Sequence, residues 1–232
     1  MSSRAGQKQA SRAVRDYIAR EKRRTRTLWA TIAAVAVLVI AGLIGWGVVA
    51  SQNSGGFTPP PGAVENGTGI KVGSGPVQID IYEDFICPVC GQFEQQTGGT
   101  IDQLVAQGKA AAVYHPVAFL DRASSTDYST RSSAASGAAA EGGKFREYAK
   151  ALFAQQPAEG SAGLSDDQLI QIGRSVGLGD AFAQAVRDGK YKPWTAHVTD
   201  AASGDRVNGT PTVRVNGKDV QPTTQAIQAA VG

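Results

Sequence analysis

The succession of patterns along the chain predicts an α/β domain, and three observations carry that prediction. An alternating run, Val77–Tyr82, leads straight into a stretch of helical periodicity, and a second strand-like run follows at Ala110–Phe119. After a long helical block the chain returns to a hairpin and a closing helix. The only two cysteines, Cys87 and Cys90, stand together where the first strand ends and the first helix begins.

The domain is preceded by segments of different composition. The net charge of +3 conceals an asymmetry, because residues 1–27 carry nine Lys/Arg against Asp16 and Glu21, leaving 14 basic and 18 acidic residues from Leu28 onward. A nucleic-acid-binding domain carries its basic stripe on the folded part, so no nucleic-acid partner is expected. Leu28–Ala50 runs 23 residues without a charge, enough to span a hydrocarbon core of about 30 Å as one transmembrane helix. The basic flank places residues 1–27 in the cytoplasm, and Trp29 and Trp46 suit the two interfaces. Its length and its long preceding tail favour an uncleaved signal-anchor over a cleaved leader. Residues 51–68, opening SQNSGGFTPPPG, read as a flexible Gly/Ser/Pro linker. Residues 69–232 then form the extracytoplasmic domain.

Within that domain each element has its own signal. Gly69–Val72 is expected as a short edge strand, and after Gly73-Ser74-Gly75-Pro76 the run Val77–Tyr82 delivers Glu83-Asp84-Phe85-Ile86 to Cys87. Phe93, Thr97, Ile101, Leu104 and Val105 recur at helical spacing, with a kink or break expected at Gly98-Gly99. Residues 124–203 are helical in pattern. Ala134, Ala135, Ala138 and Ala139 mark one closely packed helix, and Phe145, Tyr148, Ala149, Leu152 and Phe153 mark a second. Ser165 with Gln168 forms a capping box for a third, Asp180 caps a fourth, and Pro193 opens a fifth with Trp194, His197, Val198 and Ala201 inward. Thr212–Val215, the turn Asn216-Gly217, Asp219–Gln221 and a helix over Thr224–Val231 close the chain.

The Cys87-Pro88-Val89-Cys90 motif carries the chemistry. Disulfide exchange needs one thiolate to attack and a second thiol near enough to resolve the mixed disulfide. A two-residue spacing at a helix N-terminus meets both needs, because the exposed N–H groups favour a negative sulfur at Cys87 and Cys90 lies one turn further in. Pro88 suits the first helical position. A zinc site needs about four ligands, and His115 and His197 are the only other candidates of the usual kind, so neither a metal nor a cofactor is expected. A structural disulfide gains least from so short a loop. His115 and His197 read as packed core histidines. Glu83 and Asp84 are candidate proton-transfer groups, since an acid beside a redox pair relays protons or raises the thiol pKa.

Tyr82-Glu83-Asp84-Phe85-Ile86-Cys87-Pro88-Val89-Cys90, with Phe93 following, resembles the active-site segment of DsbA-like thiol:disulfide oxidoreductases, particularly membrane-anchored actinobacterial members. Gly209-Thr210-Pro211-Thr212-Val213 resembles the cis-proline loop of that family. The resemblance implies an α/β thioredoxin-like fold with an inserted helical subdomain at about 124–203. It also implies a cis Thr210–Pro211 bond, Pro211 facing Cys87, and the Thr210 backbone pairing with an extended substrate. Pro88, Val89, Thr210 and Pro211 therefore frame the expected site. Tyr128, Phe145 and Trp194 are placed near the groove, with core packing their main role. Two departures stand out. Ile81 occupies the position six before the first cysteine where thioredoxin-like proteins often carry a buried acid, and Pro-Val replaces the Pro-His of the best-known oxidases.

The expected function is an extracytoplasmic oxidase that donates the Cys87–Cys90 disulfide to exported proteins with reduced cysteines. A DsbB-like or vitamin K epoxide reductase-like membrane oxidase would recharge it, as the resemblance implies. The alternatives are a reductase or isomerase, for example in cytochrome c maturation, and a non-catalytic tethered binding module.

Overall fold

Strands β1 (Ile70–Val72), β2 (Val77–Glu83), β3 (Ala110–Pro116), β4 (Thr212–Val215) and β5 (Lys218–Val220) make one sheet in the order β1-β3-β2-β4-β5. They belong to a computed structural model that describes residues 56–64 and 66–232. Strands β2 and β3 run parallel at the centre, joined by a right-sized helical crossover. Strand β1 pairs antiparallel with β3, and β4 with both β2 and β5. Every residue of β3 is buried, which is why it reads as a nearly continuous apolar run; β2, buried from Ile79 onward, alternates in sequence and carries the polar Asp80 and Glu83 into the interior.

The crossover from β2 to β3 is α1 (Pro88–Phe93), a π-helical turn at Glu94–Gly98, and α2 (Gly99–Ala106). The expected break at Gly98-Gly99 is therefore a local widening of one helical path. Gly98 is buried beneath Glu94, whose carboxylate lies where a Cβ would project. That carboxylate is in turn held by Arg146.

Five helices separate β3 from β4: α3 (Tyr128–Glu141), α4 (Phe145–Ala154), α5 (Asp166–Ser175), α6 (Asp180–Arg187) and α7 (Lys192–Gly204). A short 3-10 turn at Asp121–Ala123 precedes them. Helix α3 is the axis, packed against α4, α6 and α7. Its small residues permit close approach, and its buried hydroxyls bond to carbonyls: Ser132 donates to Tyr128 (2.7 Å) and Ser133 to Pro116 (2.6 Å). The Ser165/Gln168 capping box is present. Asp180 is not a cap: Gly179 holds that position and Asp180 is the first helical residue. Helix α7 turns Trp194, Thr195, Val198 and Ala202 inward, whereas His197 and Ala201 are only half-buried. Helix α8 (Thr224–Val231) closes the chain, capped by Thr223.

Four boundaries differ from the sequence reading. Strand β1 starts at Ile70, β3 ends at Pro116, and the hairpin returns over Lys218–Val220. The expected linker is docked from Phe57 onward. Phe57 stacks on His197 with centroids 4.1 Å apart, Trp194 donates to the Gly67 carbonyl at 2.7 Å, and Pro60 is buried. These aromatic and carbonyl contacts override the flexibility that Gly/Ser/Pro composition suggests. The basic tail and the apolar span Leu28–Ala50 lie outside the described residues. Among the described residues no helix is long and apolar enough to cross a membrane.

Candidate active site

Strand β2 ends at Glu83, and the turn that follows is closed by the Cys87 N–H donating to the Asp84 carbonyl at 3.0 Å. Cys87 is the N-cap of α1, in extended conformation (φ −69°, ψ 115°), and Pro88 occupies the first turn, where no N–H is needed. The Cys90 N–H returns to the Cys87 carbonyl at 3.0 Å. Both cysteines are free thiols and both are buried, Cys87 at 5% exposure and Cys90 at 1%. Val89 between them is 55% exposed, the one large apolar side chain that stands out into solvent among the described residues.

The two sulfurs differ sharply in acidity. The Cys90 thiol donates to the Cys87 sulfur, and the Thr210 side chain and the backbone N–H groups of Cys90 and Val89 add to it, so the Cys87 pKa is lowered to about 6 despite its burial. Cys90 is pushed far up by its burial first, and then by its hydrogen bond and charge contact with Cys87. One thiol is therefore an anion at neutral pH and its neighbour stays protonated. The Thr210 carbonyl accepts from the Cys87 thiol at 3.4 Å, a contact that only the protonated sulfur can make. The Thr210–Pro211 peptide is cis.

Glu83 and Asp84 sit in different environments. Asp84 is fully buried and accepts from Ser129 Oγ (2.7 Å), Leu120 N (2.9 Å) and Ile86 N (3.2 Å). Burial raises its pKa to about 6 against those three donors. Glu83 has no such help, and its Oε1 has no hydrogen-bond partner. Arg146 lies nearby but is committed elsewhere, to Glu94 through paired contacts of 2.7 and 3.0 Å and to Asp102 at 2.8 Å. Burial, reinforced by the Glu94 charge, raises Glu83 to about 8. Glu83 is thus a neutral acid at pH 7, and Asp84 is mostly a carboxylate.

Two contributors carry no motif and were invisible in the sequence. Gln156, just past α4, donates through Nε2 to the carbonyls of Phe85 (3.0 Å) and Cys87 (2.9 Å), and Gly91 is small enough to let its amide approach. Ser129, on the first turn of α3, ties the helical insertion to Asp84. Only the general pairing of buried polar groups points to either. Tyr128, Phe145 and Trp194 are core residues, all buried. His115 is a satisfied core histidine, between the Thr68 carbonyl (2.7 Å) and Asp80 (3.1 Å).

A cavity of about 570 Å³ opens at Cys87, lined by Phe119, Leu120, Arg122, Val207, Gly209 and Thr210 among others. A second, of about 540 Å³, is lined by Asp80, Tyr82, His115 and Arg214 and touches neither cysteine. Of its charged groups, Asp80 is held by His115 and Gln78 and Arg214 by Asp219, while Asp205 also lines it.

A parallel β-α-β core with a dithiol at the helix mouth and a cis-proline loop against it are the fold and site of a thiol–disulfide oxidoreductase of thioredoxin type. The family model described as thioredoxin matches residues 65–231, and the chain belongs to that family. Among solved structures, the reduced disulfide oxidoreductase DsbG of Mycobacterium tuberculosis is 35% identical, with a TM-score of 0.64, over 72% of this chain and 86% of that one. Oxidised DsbA of the same organism is also 35% identical, at a TM-score of 0.62, over 70% and 90% of the two chains. The thiol-disulfide oxidoreductase MdbA of Actinomyces oris, at 21% identity and a TM-score of 0.64, shares the fold over 77% and 93%. The serine/threonine-protein kinase PknE of M. tuberculosis is 34% identical over 158 residues, 62% of this chain. The chain spans about 28% of the length of the curated relatives it matches.

Proposed function

We propose that the protein is an extracytoplasmic thiol–disulfide oxidoreductase acting as an oxidase. A substrate thiolate attacks Cys87 Sγ of the Cys87–Cys90 disulfide, and Cys90 leaves as a thiolate that takes up a proton. A second substrate thiolate then attacks the sulfur bonded to Cys87, which leaves as the stabilised anion, and the substrate departs as a disulfide. Two electrons pass from substrate to protein.

The observation that carries this reading is the opposed acidity of the two sulfurs. A thiol of pKa about 6, set against about 8.5 for an ordinary cysteine, stabilises the reduced form by about 1.4 kcal/mol at pH 7, or about 30 mV. The bias makes the disulfide a better oxidant and Cys87 the better leaving group. Pro88, Val89, Thr210 and Pro211 frame the attack, with the Thr210 backbone offered to an extended substrate. Glu83 and Asp84 surround the turn but neither carboxyl hydrogen-bonds a sulfur, so Asp84 serves to hold the site and Glu83 is the remaining proton-transfer candidate.

The substrates are exported proteins with reduced cysteines. A DsbB-like or vitamin K epoxide reductase-like membrane oxidase restores the disulfide. The uncharged Leu28–Ala50 segment and its basic flank support a single-pass anchor with the domain outside the cell membrane.

Equilibration with glutathione buffers tests the direction. A potential towards that of DsbA, about −120 mV, fits an oxidase, and one near thioredoxin's, about −270 mV, would make the protein a reductase or isomerase. Cys90→Ala should accumulate mixed disulfides on Cys87 in cells. Full function in a Cys87→Ser protein would leave only a binding module.

A further inference from the structure

The groove beside Cys87 has a charge character of its own. Of the residues lining it, Phe119, Leu120 and Val207 supply an apolar floor, Ser203, Asn208, Gly209 and Thr210 are uncharged, and in the oxidised protein, where Cys87 is bonded to Cys90 and carries no charge, Arg122 is the single ionised side chain. Arg122 is exposed and makes no ion pair among the described residues. The acid adjacent to it in sequence and the acid that holds the same loop are both occupied. Asp121 is turned to the first turn of α3, accepting from Thr130 N at 2.9 Å and Thr130 Oγ1 at 2.5 Å. Asp84 is buried beneath Leu120 and saturated by its three donors. The turn that carries Arg122 is fixed at both ends, by Leu120 N on Asp84 and by Gly160 N on the Ala123 carbonyl (2.8 Å). The guanidinium therefore stands on an anchored turn at the rim and forms no ion pair among the described residues.

We propose that Arg122 sets substrate preference: the groove selects extended thiol segments that carry an apolar residue and, next to it, an acidic residue near the reacting cysteine. The inference rests on the oxidase reading and sharpens it, because it names which thiol segments that site accepts. The apolar side chain fills the floor between Phe119, Leu120 and Val207. The carboxylate meets Arg122 at the rim, where a charge pair acts mainly on encounter rate and fades with salt.

The test uses the oxidised full-length protein and short dithiol peptides that differ only in a Leu-Asp, Leu-Asn or Leu-Lys pair beside the first cysteine, placed before it in one set and after it in another. Chromatographic separation of dithiol from disulfide peptide reads the second-order rate constant. In one set the unaltered protein should oxidise the Asp peptide about 2–5-fold faster than the Lys peptide at low salt, the range expected of an exposed pair. The ratio should fall towards one at high salt. Arg122→Ala should erase the preference and Arg122→Glu should invert it. Equal rates for all three peptides, or an Asp preference that survives Arg122→Glu, would overturn the inference while leaving oxidase activity standing. Failure to oxidise any peptide would overturn the oxidase reading and this inference with it.

Discussion

Glu83 and Asp84 are neighbours in sequence and equally buried, yet the two sides of this turn treat them in opposite ways. On the side of the helical insertion, Asp84 meets Ser129 Oγ and two backbone N–H groups. On the side of α1 and α4, Glu83 meets an arginine whose hydrogen bonds are spent on Glu94 and Asp102. Donors, and not depth, decide whether a carboxyl beside this dithiol is charged. Asp84 is a structural anion that locks the insertion and the Leu120 loop onto the Cys87 turn. Glu83 is a protonated acid stored in the core.

The largest expected effect breaks the first side. Asp84→Ala leaves Ser129, Leu120 N and Ile86 N without their acceptor, and urea unfolding should show a loss of about 3 kcal/mol or more. A loss below about 1 kcal/mol would mean that the three contacts do not hold the turn.

The second side predicts a pH dependence. The folded pKa of Glu83, about 8, lies above its ordinary value of 4.5. The folded state therefore binds more protons than the unfolded state between those values, and stability falls as pH rises through that window, by a few kcal/mol. Cys87 has a lowered folded pKa of about 6, so its contribution runs the other way: present at high pH and lost as pH falls through about 6. The comparison is cleanest in a Cys87→Ser protein, where the thiolate is gone. There Glu83→Gln should be more stable than its parent at pH 8, and their difference should shrink towards pH 5. A pH-independent difference would contradict the account of Glu83.

Smaller effects sharpen the picture at the cysteine itself. Gln156→Ala removes two donors from the Phe85 and Cys87 carbonyls and should cost about 1 kcal/mol by thermal or urea unfolding. Asp84→Asn removes a charge that opposes the thiolate, so its Cys87 should ionise at lower pH. An unchanged titration would place Asp84 electrically out of reach.

Much of the frame was legible because its signals are local. Cys87 and Cys90 at a strand–helix junction, the Ser165/Gln168 box, Pro193 in the first turn of α7 and Asn216-Gly217 in the hairpin each depend on a few adjacent residues. The family's cis-proline loop was legible only through resemblance, since Thr210-Pro211 alone reads as trans. What stayed hidden depends on distant partners. Nothing near Gln156 marks it as a ligand of two carbonyls some 70 residues away in sequence. Strand alternation separates Glu83 from Asp84, but which one meets donors is settled by Ser129 and Arg146, on helices whose packing no local pattern reveals. The docked path from Phe57 likewise depends on Trp194 and His197 of α7.

Cys87 is an anion at neutral pH because Cys90 and the helix N–H groups point at it. Only the thiolate is alkylated at an appreciable rate, so iodoacetamide labelling of the reduced protein as a function of pH reads that state directly, with buried Cys90 silent. A single titration with a midpoint near 6 is expected, moving upward in Cys90→Ala, where the donated hydrogen bond is lost. A midpoint near 8.5, the value of an ordinary free cysteine, would contradict it.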